Sequence, residues 1–556
     1  MLLSRLASHS AFETDFSRVA RSASFLPPSP LSDSVLESTS LTHRSSEAGK
    51  VFEVINTNIS GPGSFNQAID DANAHLGHDR IMFSGDIFKD QTPDKIIVQY
   101  TPPIPYQSPA ISDDVTIVGL GADRLTLSGG NNYTSVLRIQ AGATVEISGL
   151  TVTEGVGFQS IAGAGITNFG TLTLNDVHVT ENKGSSVAGG IANYGTLTLN
   201  RSTVSNNDAS EYPGMVGGIY NEGTATINNS VIRDNLGLTG GIWNGGGGGI
   251  YLSTYGTLTL NNSTIRDNQG LNWGGIHNDG ATTTINHSVL QGNTGSQGGG
   301  VSAYGFFDEN NRIQGSVTIS QSSILNNSAT DDAGGIANGP GSRLTLSHST
   351  VAGNSANQGG GISNGGIMTV EYSTIRNNSA TTQGGGILHS SLSNTYAPNS
   401  SSMTIDHSGI DNNSADVGGG IYNLAGILTL SDSTLKGNTA KAGGGIYNIG
   451  YYEEFEDGEG GTTVFEAPAI LTLAKTTITE NHALSGNGGG VLNQPLQGAL
   501  GSLSLAKVNK STIRRNTAVL DGPDVYGIFT SEGYNLIGDG ADSLGFVDGI
   551  NHDKVV

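Results

Sequence analysis

The sequence predicts an all-β protein that folds as a single-stranded right-handed parallel β-helix. Its central part repeats, with variations, a Gly-Gly-Ile-x-Asn segment followed by two further apolar runs, in twelve copies between Ile166 and Asn516. The leading residue falls at 166 and 191, 276 and 301, 362 and 387, and 421 and 446, a 25-residue period that is typical of a solenoid. The three short runs of each copy alternate apolar and polar residues, which indicates three short strands per coil of about 25 residues.

Composition and charge exclude several classes of protein. Glycine accounts for 83 of 556 residues, but it is concentrated in the Gly-Gly-Ile turns without Gly-X-Y order, which excludes collagen. The net charge of -23 argues against a nucleic-acid partner, since such proteins carry basic surfaces. No apolar run reaches the ~20 residues of a transmembrane helix. With no cysteine and no metal-binding or cofactor motif, we expect no disulfide, no metal site and no cofactor.

The chain divides into four segments. Residues 1–50 are serine-rich and lack periodicity, so we expect a disordered leader or linker, in which no export signal is evident. Residues 51–160 are predicted to form an N-terminal cap and irregular first coils, because strand-like runs occur there without the Gly-Gly-Ile signature. Residues 161–520 hold the regular repeats, and residues 521–556 form a C-terminal tail or cap.

A short helix is predicted to cap the N-terminal end of the solenoid. Ser64 is a suitable N-cap residue, and Phe65, Ala68, Ile69 and Ala72 follow with the i, i+3, i+4, i+7 spacing of an amphipathic helix. A β-helix exposes its apolar interior at each end, and a helix lying across that end would cover it.

Two sets of equivalent residues are predicted to stack along the interior. The first is an apolar column with the members Leu174, Leu199, Ile227, Leu260, Ile285, Ile319, Leu346, Val370, Ile405, Leu430, Leu473 and Leu505. The second is a ladder of asparagines, three residues after the third-strand apolar position: Asn182, Asn207, Asn235, Asn268, Asn293, Asn327, Asn354, Asn378, Asn413, Asn438, Asn481 and Asn516. Because a repeated turn leaves the same backbone groups unpaired in every coil, we interpret these amides as structural and not catalytic.

Candidate ligand-binding residues come from the irregular parts of the repeat. The long insertions all follow the Gly-Gly-Ile strand, so stacking should place them along one edge, and insertions on one face of a solenoid are commonly its binding face. Aromatic residues with neighbouring carboxylates favour sugar recognition, and the insertions supply Tyr304, Phe306, Phe307, Tyr451, Tyr452, Phe455 and Glu456. Trp243 is a further candidate, at the outward position of a Gly-Gly-Ile-x-Asn segment, although cross-strand pairing of aromatic residues also explains its column.

Two stretches resemble known families. Asn56 to Ser64, followed by Gln67-Ala68-Ile69, is similar to the start of bacterial secreted or surface right-handed β-helix proteins. The repeats resemble the Gly-Gly-Ala-Ile and Phe-x-x-Asn motifs of chlamydial-type polymorphic outer membrane proteins, but Val, Ile or Leu replaces the Phe here. The resemblance implies a pectin lyase-like fold and an extracellular or cell-surface, outer membrane-associated location.

Three functions remain open from the sequence. We expect a non-catalytic scaffold that presents loops for adhesion or glycan recognition, with a polysaccharide or cell-surface glycan as partner. The alternative is a polysaccharide lyase or hydrolase, but the Gly-His-Gly and Arg-x-Lys signatures are absent and Asp331-Asp332 has no nearby His or Arg partner in sequence, so no catalytic residue is assigned. A minor alternative is ice binding, because an outward threonine column is doubled as Thr-x-Thr in five coils, starting at Thr171, Thr196, Thr224, Thr257 and Thr282. The sequence does not predict the oligomeric state.

Overall fold

The chain folds as a right-handed parallel β-helix whose coils stack along one axis. The computed structural model describes residues 48–90, 92–98, 109–131, 135–157, 163–184, 187–211, 216–245, 256–307, 313–391, 401–456, 462–498 and 501–556. The predicted leader, residues 1–50, lies outside the described residues except for its last three. The described residues contain no helix of the length and apolarity needed to cross a bilayer.

Three long parallel sheets, here called A, B and C, form the walls of the solenoid. The strands of sheet A are Val51–Val54, Asp79–Phe83, Val115–Val118, Thr144–Ser148, Thr171–Asn175, Thr196–Asn200, Thr224–Asn228, Thr257–Asn261, Thr282–Asn286, Ser316–Ser320, Arg343–Ser347, Ile367–Glu371, Ser402–Asp406, Ile427–Ser431, Ala469–Ala474, Ser504–Asn509 and Thr530–Gly533. Those of sheet B are Asp94–Ile97, Leu125–Ser128, Thr151–Thr153, His178–Thr180, Thr203–Ser205, Val231–Arg233, Thr264–Arg266, Val289–Gln291, Ser323–Leu325, Thr350–Ala352, Thr374–Arg376, Gly409–Asp411, Thr434–Lys436, Thr477–Thr479, Thr512–Arg514, Leu536–Ile537 and Lys554–Val555. Those of sheet C are Ala110–Ile111, Leu137–Ile139, Ile166–Asn168, Ile191–Asn193, Ile219–Asn221, Ile242–Gly245, Ile276–Asp279, Val301–Tyr304, Ile336–Asn338, Ile362–Asn364, Ile387–Ser390, Ile421–Leu424, Ile446–Ile449, Val491–Asn493, Val525–Ile528 and Ser543–Leu544.

Many coils add a short fourth strand between sheets B and C, which the three-strand repeat did not predict. The longest run of these strands, here called sheet D, consists of Leu236–Thr239, Gln269–Trp273, Thr294–Gly295, Ser328–Ala329, Ser355–Gln358 and Ser379–Gln383. Shorter groups pair Val156–Gly157 with Lys183–Gly184, and join Thr439–Ala440, His482–Ala483 and Thr517–Ala518. These residues follow the ladder asparagine, where the sequence pattern alone reads as a turn.

The predicted capping helix is confirmed at Phe65–Ala74. The Ser64 hydroxyl accepts a hydrogen bond from the Gln67 backbone N–H at 3.3 Å, and Phe65, Ala68 and Ile69 are buried. The helix contacts the first two strands of sheet A, so its apolar face closes the N-terminal end of the core. Short 3₁₀ turns occur at Asp86–Phe88 and Ile550–His552.

The register predicted from the repeat is confirmed in sheet A. Leu199 pairs with Ile227 and Ile227 pairs with Leu260, and all three side chains are fully buried.

The assignment of Leu505 to this column is wrong. Val508 pairs with Leu473 and is buried, whereas Leu505 pairs with Ile470 and is 44% exposed. Side chains alternate along a strand, and the long insertion before Leu505 obscured which residues of Ser504–Asn509 point inward.

The twelve predicted ladder asparagines are buried and form a directional chain of hydrogen bonds. In the first eleven, Nδ2 donates to the Oδ1 of the asparagine in the next coil, at 2.9–3.1 Å, and in the last, Asn516, it donates to Asp524 Oδ1. Each Nδ2 also donates to a backbone carbonyl, as Asn207 does to Val179 O at 3.0 Å. The amides therefore satisfy backbone groups that the corner before sheet D leaves unpaired.

A second ladder, which the sequence analysis did not predict, uses the asparagine of the Gly-Gly-Ile-x-Asn segment. Its members are Asn168, Asn193, Asn221, Asn244, Asn278, Asn338, Asn364, Asn423, Asn448 and Asn493, with side-chain bonds of 2.6–3.1 Å within the stack. Ala303 interrupts the stack, and His389 occupies one asparagine position. In the fully buried His389 ring, Nδ1 lies 2.9 Å from Asn364 Nδ2 and 3.1 Å from Asn364 O, and Nε2 lies 3.2 Å from Ile427 O. With hydrogen on Nε2, the neutral ring accepts from the Asn364 amide and donates to Ile427 O.

His389 is predicted to make the fold less stable in acid. Burial lowers its pKa from 6.5 to about 4, so the unfolded chain takes up a proton between these pH values that the folded chain does not. The free energy of unfolding should therefore be about 3 kcal/mol lower at pH 4 than it is above pH 6.5. We expect His389→Asn, which restores the ladder residue, to lose less stability over this range in urea unfolding. Equal losses in both proteins would contradict this role of His389.

Candidate functional site

The structure brings two of the predicted ligand-binding residues, Trp243 and Tyr304, to one region of the outer face of sheet C. Trp243 pairs with Tyr220 in the preceding coil and with His277 in the following coil. Tyr304 pairs with Asp279 one coil further along. The Gly-Gly-Ile-x-Asn segment produces this arrangement, because Ile and Asn point inward while the residues between and after them point outward.

Aromatic side chains run along this face in an almost continuous series, here called the aromatic row: Phe169, Tyr194, Tyr220, Trp243, Trp273, His277 and Tyr304. The rings of Phe169 and Tyr194 are stacked with centroids 5.0 Å apart. Tyr220 and Trp243 stack at 4.5 Å, and Trp273 stacks on His277 at 3.6 Å. Two steps are tilted instead, Tyr194 to Tyr220 at 53° and His277 to Tyr304 at 59°.

Asp279 lies between two members of the aromatic row. A Cβ placed on Gly245 would lie 2.4 Å from Trp243 Cζ2, so the indole ring covers Gly245 and occupies the space that a side chain would need. Gly245 pairs with Asp279, and Asp279 pairs with Tyr304 in the next coil. In register, Asp279 therefore lies between Gly245, which the indole of Trp243 covers, and Tyr304, whose own ring covers Gly339 in the following coil.

The electrostatics of this site are set by burial and by two carboxylates. Burial raises the pKa of Asp279 to about 6. The Tyr220 hydroxyl donates to Glu222, and burial together with the Glu222 carboxylate raises the pKa of Tyr220. Glu222 and Asp279 each follow the asparagine of their segment, and Asn221, Asn244 and Asn278 are successive in register, so the two carboxylates are two coils apart on one line.

Two buried nitrogen atoms at this site lack a hydrogen-bond partner among the described residues. They are His277 Nδ1 and Trp273 Nε1. His277 is 3% exposed, and burial lowers its pKa to about 3, so the ring is neutral at physiological pH. Unpaired buried polar atoms are rare in proteins, and each one indicates a partner such as an ordered water or a ligand group.

An open groove of about 750 Å³ follows the outer face of sheet D. Its lining includes Ser296, Thr330, Asp331 and Asn357. Ser296 adjoins Asn272, the neighbour of Trp273, through a hydrogen bond from its backbone N–H to Asn272 O at 2.9 Å. The groove therefore presents small hydroxyl, amide and carboxylate groups, and none of its lining residues belongs to the aromatic row.

The other predicted ligand-binding residues lie elsewhere. Tyr451, Tyr452, Phe455 and Glu456 lie on the hairpin Tyr451–Glu456 with Thr462–Ala467, which leaves the corner between sheets C and A five coils beyond Tyr304. At a rise of ~4.8 Å per coil this is a separation of roughly 24 Å. Phe306 and Phe307 form a smaller hairpin with Ile313–Gln314 at the same corner. The side chains of Phe306, Phe307, Phe455 and Glu456 lie outside the described residues.

One described group has the composition of a metal site. The ligand atoms of Asp406, His407 and Asp432 lie within 4.8 Å of one another. All three already have other contacts, however, since His407 Nδ1 lies 2.6 Å from Asp406 Oδ2 and Lys475 Nζ lies 3.4 Å from Asp432 Oδ2. These solvated contacts compete with a metal ion, and we assign no metal there.

Sequence reasoning missed Glu222, Trp273, His277 and Asp279. His277 and Asp279 could have been recognised, because their copy of the repeat departs from the consensus. In Trp273-Gly-Gly-Ile-His-Asn-Asp279 both outward positions carry large or charged groups, whereas the preceding copy has Gly245 at the second of them and the following copy has Ser302 at the first. The contribution of Trp273 could not be read from the repeat, because it depends on the fourth strand.

Comparisons with known proteins identify no family for this chain. No family model matches the sequence, and no curated protein matches it. Among solved structures, the mannuronan C-5 epimerase AlgE6 A-module of Azotobacter vinelandii aligns with 91% of this chain and 98% of its own length, at 12% identity and a TM-score of 0.22. An alignment with so low a TM-score supports no statement about activity, and the likeness of the repeats to polymorphic outer membrane proteins stays a likeness of motifs.

The ionisation of Asp279 is predicted to change the tryptophan fluorescence. The chain has two tryptophans, and both belong to the aromatic row. Because the pKa of Asp279 is about 6 and that of His277 about 3, emission should titrate with a midpoint near pH 6. Asp279→Asn should remove this titration, and the control Asp331→Asn should keep it. A titration that survives in Asp279→Asn would show that Asp279 is not next to the indole.

Proposed function

We propose that this protein is a non-catalytic, extracellular or cell-surface β-helix scaffold that binds a polysaccharide or cell-surface glycan through the aromatic row around Asp279. The observation that carries the proposal is the combination at one place of aromatic rings, two carboxylates and two buried nitrogens without partners. Sugars present apolar C–H faces and many hydroxyl groups, so they require both kinds of contact in one site.

The spacing of the solenoid supports an extended ligand. Two coils rise by roughly 10 Å, which is about the length of an extended disaccharide. Glu222 and Asp279 lie two coils apart on one line, with the indole of Trp243 over the glycine between them. A glycan chain that lies along the solenoid axis would therefore meet these two carboxylates about one disaccharide apart, with aromatic rings between them.

Rigidity also favours recognition in this geometry. The outward residues sit on strands whose inward neighbours, Ile242 and Asn244 for example, are fully buried. A site on such a scaffold loses little conformational entropy when the ligand binds, since its side chains are already held by packing. A glycan-binding surface built on a rigid rod fits an adhesive role at the cell surface.

Removal of the Trp243 ring is predicted to weaken glycan binding. On a glycan array and in a fluorescence titration with the best array ligand, we expect Trp243→Ala to bind about tenfold or more weakly than the unmodified protein. The matched control is Tyr447→Ala, because Tyr447 lies beside Tyr422 in the same outward column, with ring centroids 5.3 Å apart. Leu424 and Ile449 follow the asparagines of these two segments, at the position that Glu222 and Asp279 occupy in the coils on either side of Trp243. This control should bind normally.

Other outcomes would contradict the proposal in distinct ways. If deletion of residues 449–468 abolishes binding while Trp243→Ala does not, the site lies on the long hairpin. Release of reducing or unsaturated ends from the ligand would show an enzyme. Thermal hysteresis that Thr259→Tyr removes would show ice binding, for which the Thr-x-Thr pairs of sheet A are suitably aligned in register. Failure to bind any glycan would exclude the proposal.

A further inference from the structure

We infer that the glycan recognised at the aromatic row carries amino groups, and that Asp279 is the anion that binds the ammonium. This inference rests on the proposed function and names the chemical class of its ligand. Three features of the site support it: the charge, the aromatic rings and the buried nitrogen atoms.

The first feature is the unbalanced negative charge of the site. Within the described residues neither Glu222 nor Asp279 forms an ion pair with Lys or Arg, although ten other acidic side chains do so with Lys, Arg or His. The carboxyl of Asp279 is partly buried, so its charge is poorly hydrated. A ligand cation would replace the missing hydration and counter-charge.

The second feature is the character of the surrounding rings. The faces of Trp and Tyr rings carry negative potential and attract ammonium groups, most strongly when the cation is desolvated. Asp279 is the register neighbour of Gly245, which the indole of Trp243 covers, so a cation beside this carboxylate also meets the indole. An acidic sugar would meet two carboxylates and negative ring faces, which repel it.

The third feature separates an amino sugar from other amines. Trp273 Nε1–H can only donate, so an alkyl ammonium, which also only donates, cannot pair with it, whereas a sugar hydroxyl can accept from it. The repeated carboxylate two coils away suits a polymer with an amino group on successive disaccharides. The net charge of -23 also attracts a polycation over long range and repels a polyuronate.

The test compares three oligosaccharides of equal length: fully deacetylated glucosamine oligomers, fully N-acetylated glucosamine oligomers and mannuronate oligomers. Binding to the full-length protein is followed by calorimetry and tryptophan fluorescence at physiological salt. We expect the glucosamine oligomer to bind about tenfold or more tightly than its N-acetylated form, and the mannuronate oligomer to bind most weakly. Asp279→Asn should abolish the preference for the free amine but keep weak binding of the neutral oligomer.

A matched control separates local from overall charge. Asp331→Asn removes the same charge from the sheet D groove and should keep the preference. If both variants lose the preference equally, or if tetralysine binds as tightly as the glucosamine oligomer, the attraction is general and the inference is wrong. Equal affinity for the amino and N-acetylated forms overturns the inference but leaves glycan binding intact, whereas a glycan array that finds no ligand overturns the proposed function itself.

Discussion

The hydrogen bond between asparagine amides of successive coils is the interaction on which this structure depends. An amide can donate through Nδ2 and accept through Oδ1, so a column of asparagines forms one chain of bonds with a fixed direction. In this protein the direction runs toward the C terminus, and the last member, Asn516, donates to Asp524 Oδ1 at 2.8 Å. Asn535, at the end of a similar column of serines, donates to Asp553 in the same way. A carboxylate only accepts, so it ends such a chain without leaving a buried donor unpaired.

Register fixed in the interior determines what the surface can do. When equivalent residues lie above one another, a single unusual residue in one copy becomes the neighbour of the same position in the next. The aromatic row and the line from Glu222 to Asp279 arise in this way, from outward positions of strands whose inward residues are ladder amides and apolar side chains. Gly245 contributes to this arrangement, because a side chain at this position would clash with the indole of Trp243.

The sequence predicted the fold well because periodicity, strand alternation and turn chemistry agree in every copy. It placed the helix at Phe65–Ala74 and the register of Leu199, Ile227 and Leu260. It failed at Leu505, where an insertion breaks the count, and at sheet D, whose strands carry no apolar alternation of their own. The candidate site was found in part. Trp243 and Tyr304 were recognised as unusual residues, but their closeness to Trp273 and Asp279 depends on the fourth strand and on the gap at Gly245, which only the structure shows.

The most direct test of this account compares a buried and an exposed amide ladder. Asn354 donates to Ile324 O and Asn378 Oδ1 and accepts from Asn327, all within the interior, whereas Asn261 makes the same amide-to-amide bond to Asn228 on the partly exposed outer face of sheet A. The free energy of unfolding in urea should fall by about 3 kcal/mol in Asn354→Ala, because several buried partners lose their bonds. It should fall by less than about 0.5 kcal/mol in Asn261→Ala, where water replaces the bond. Equal, small losses in the two variants would contradict the claim that the interior amides hold the coils in register.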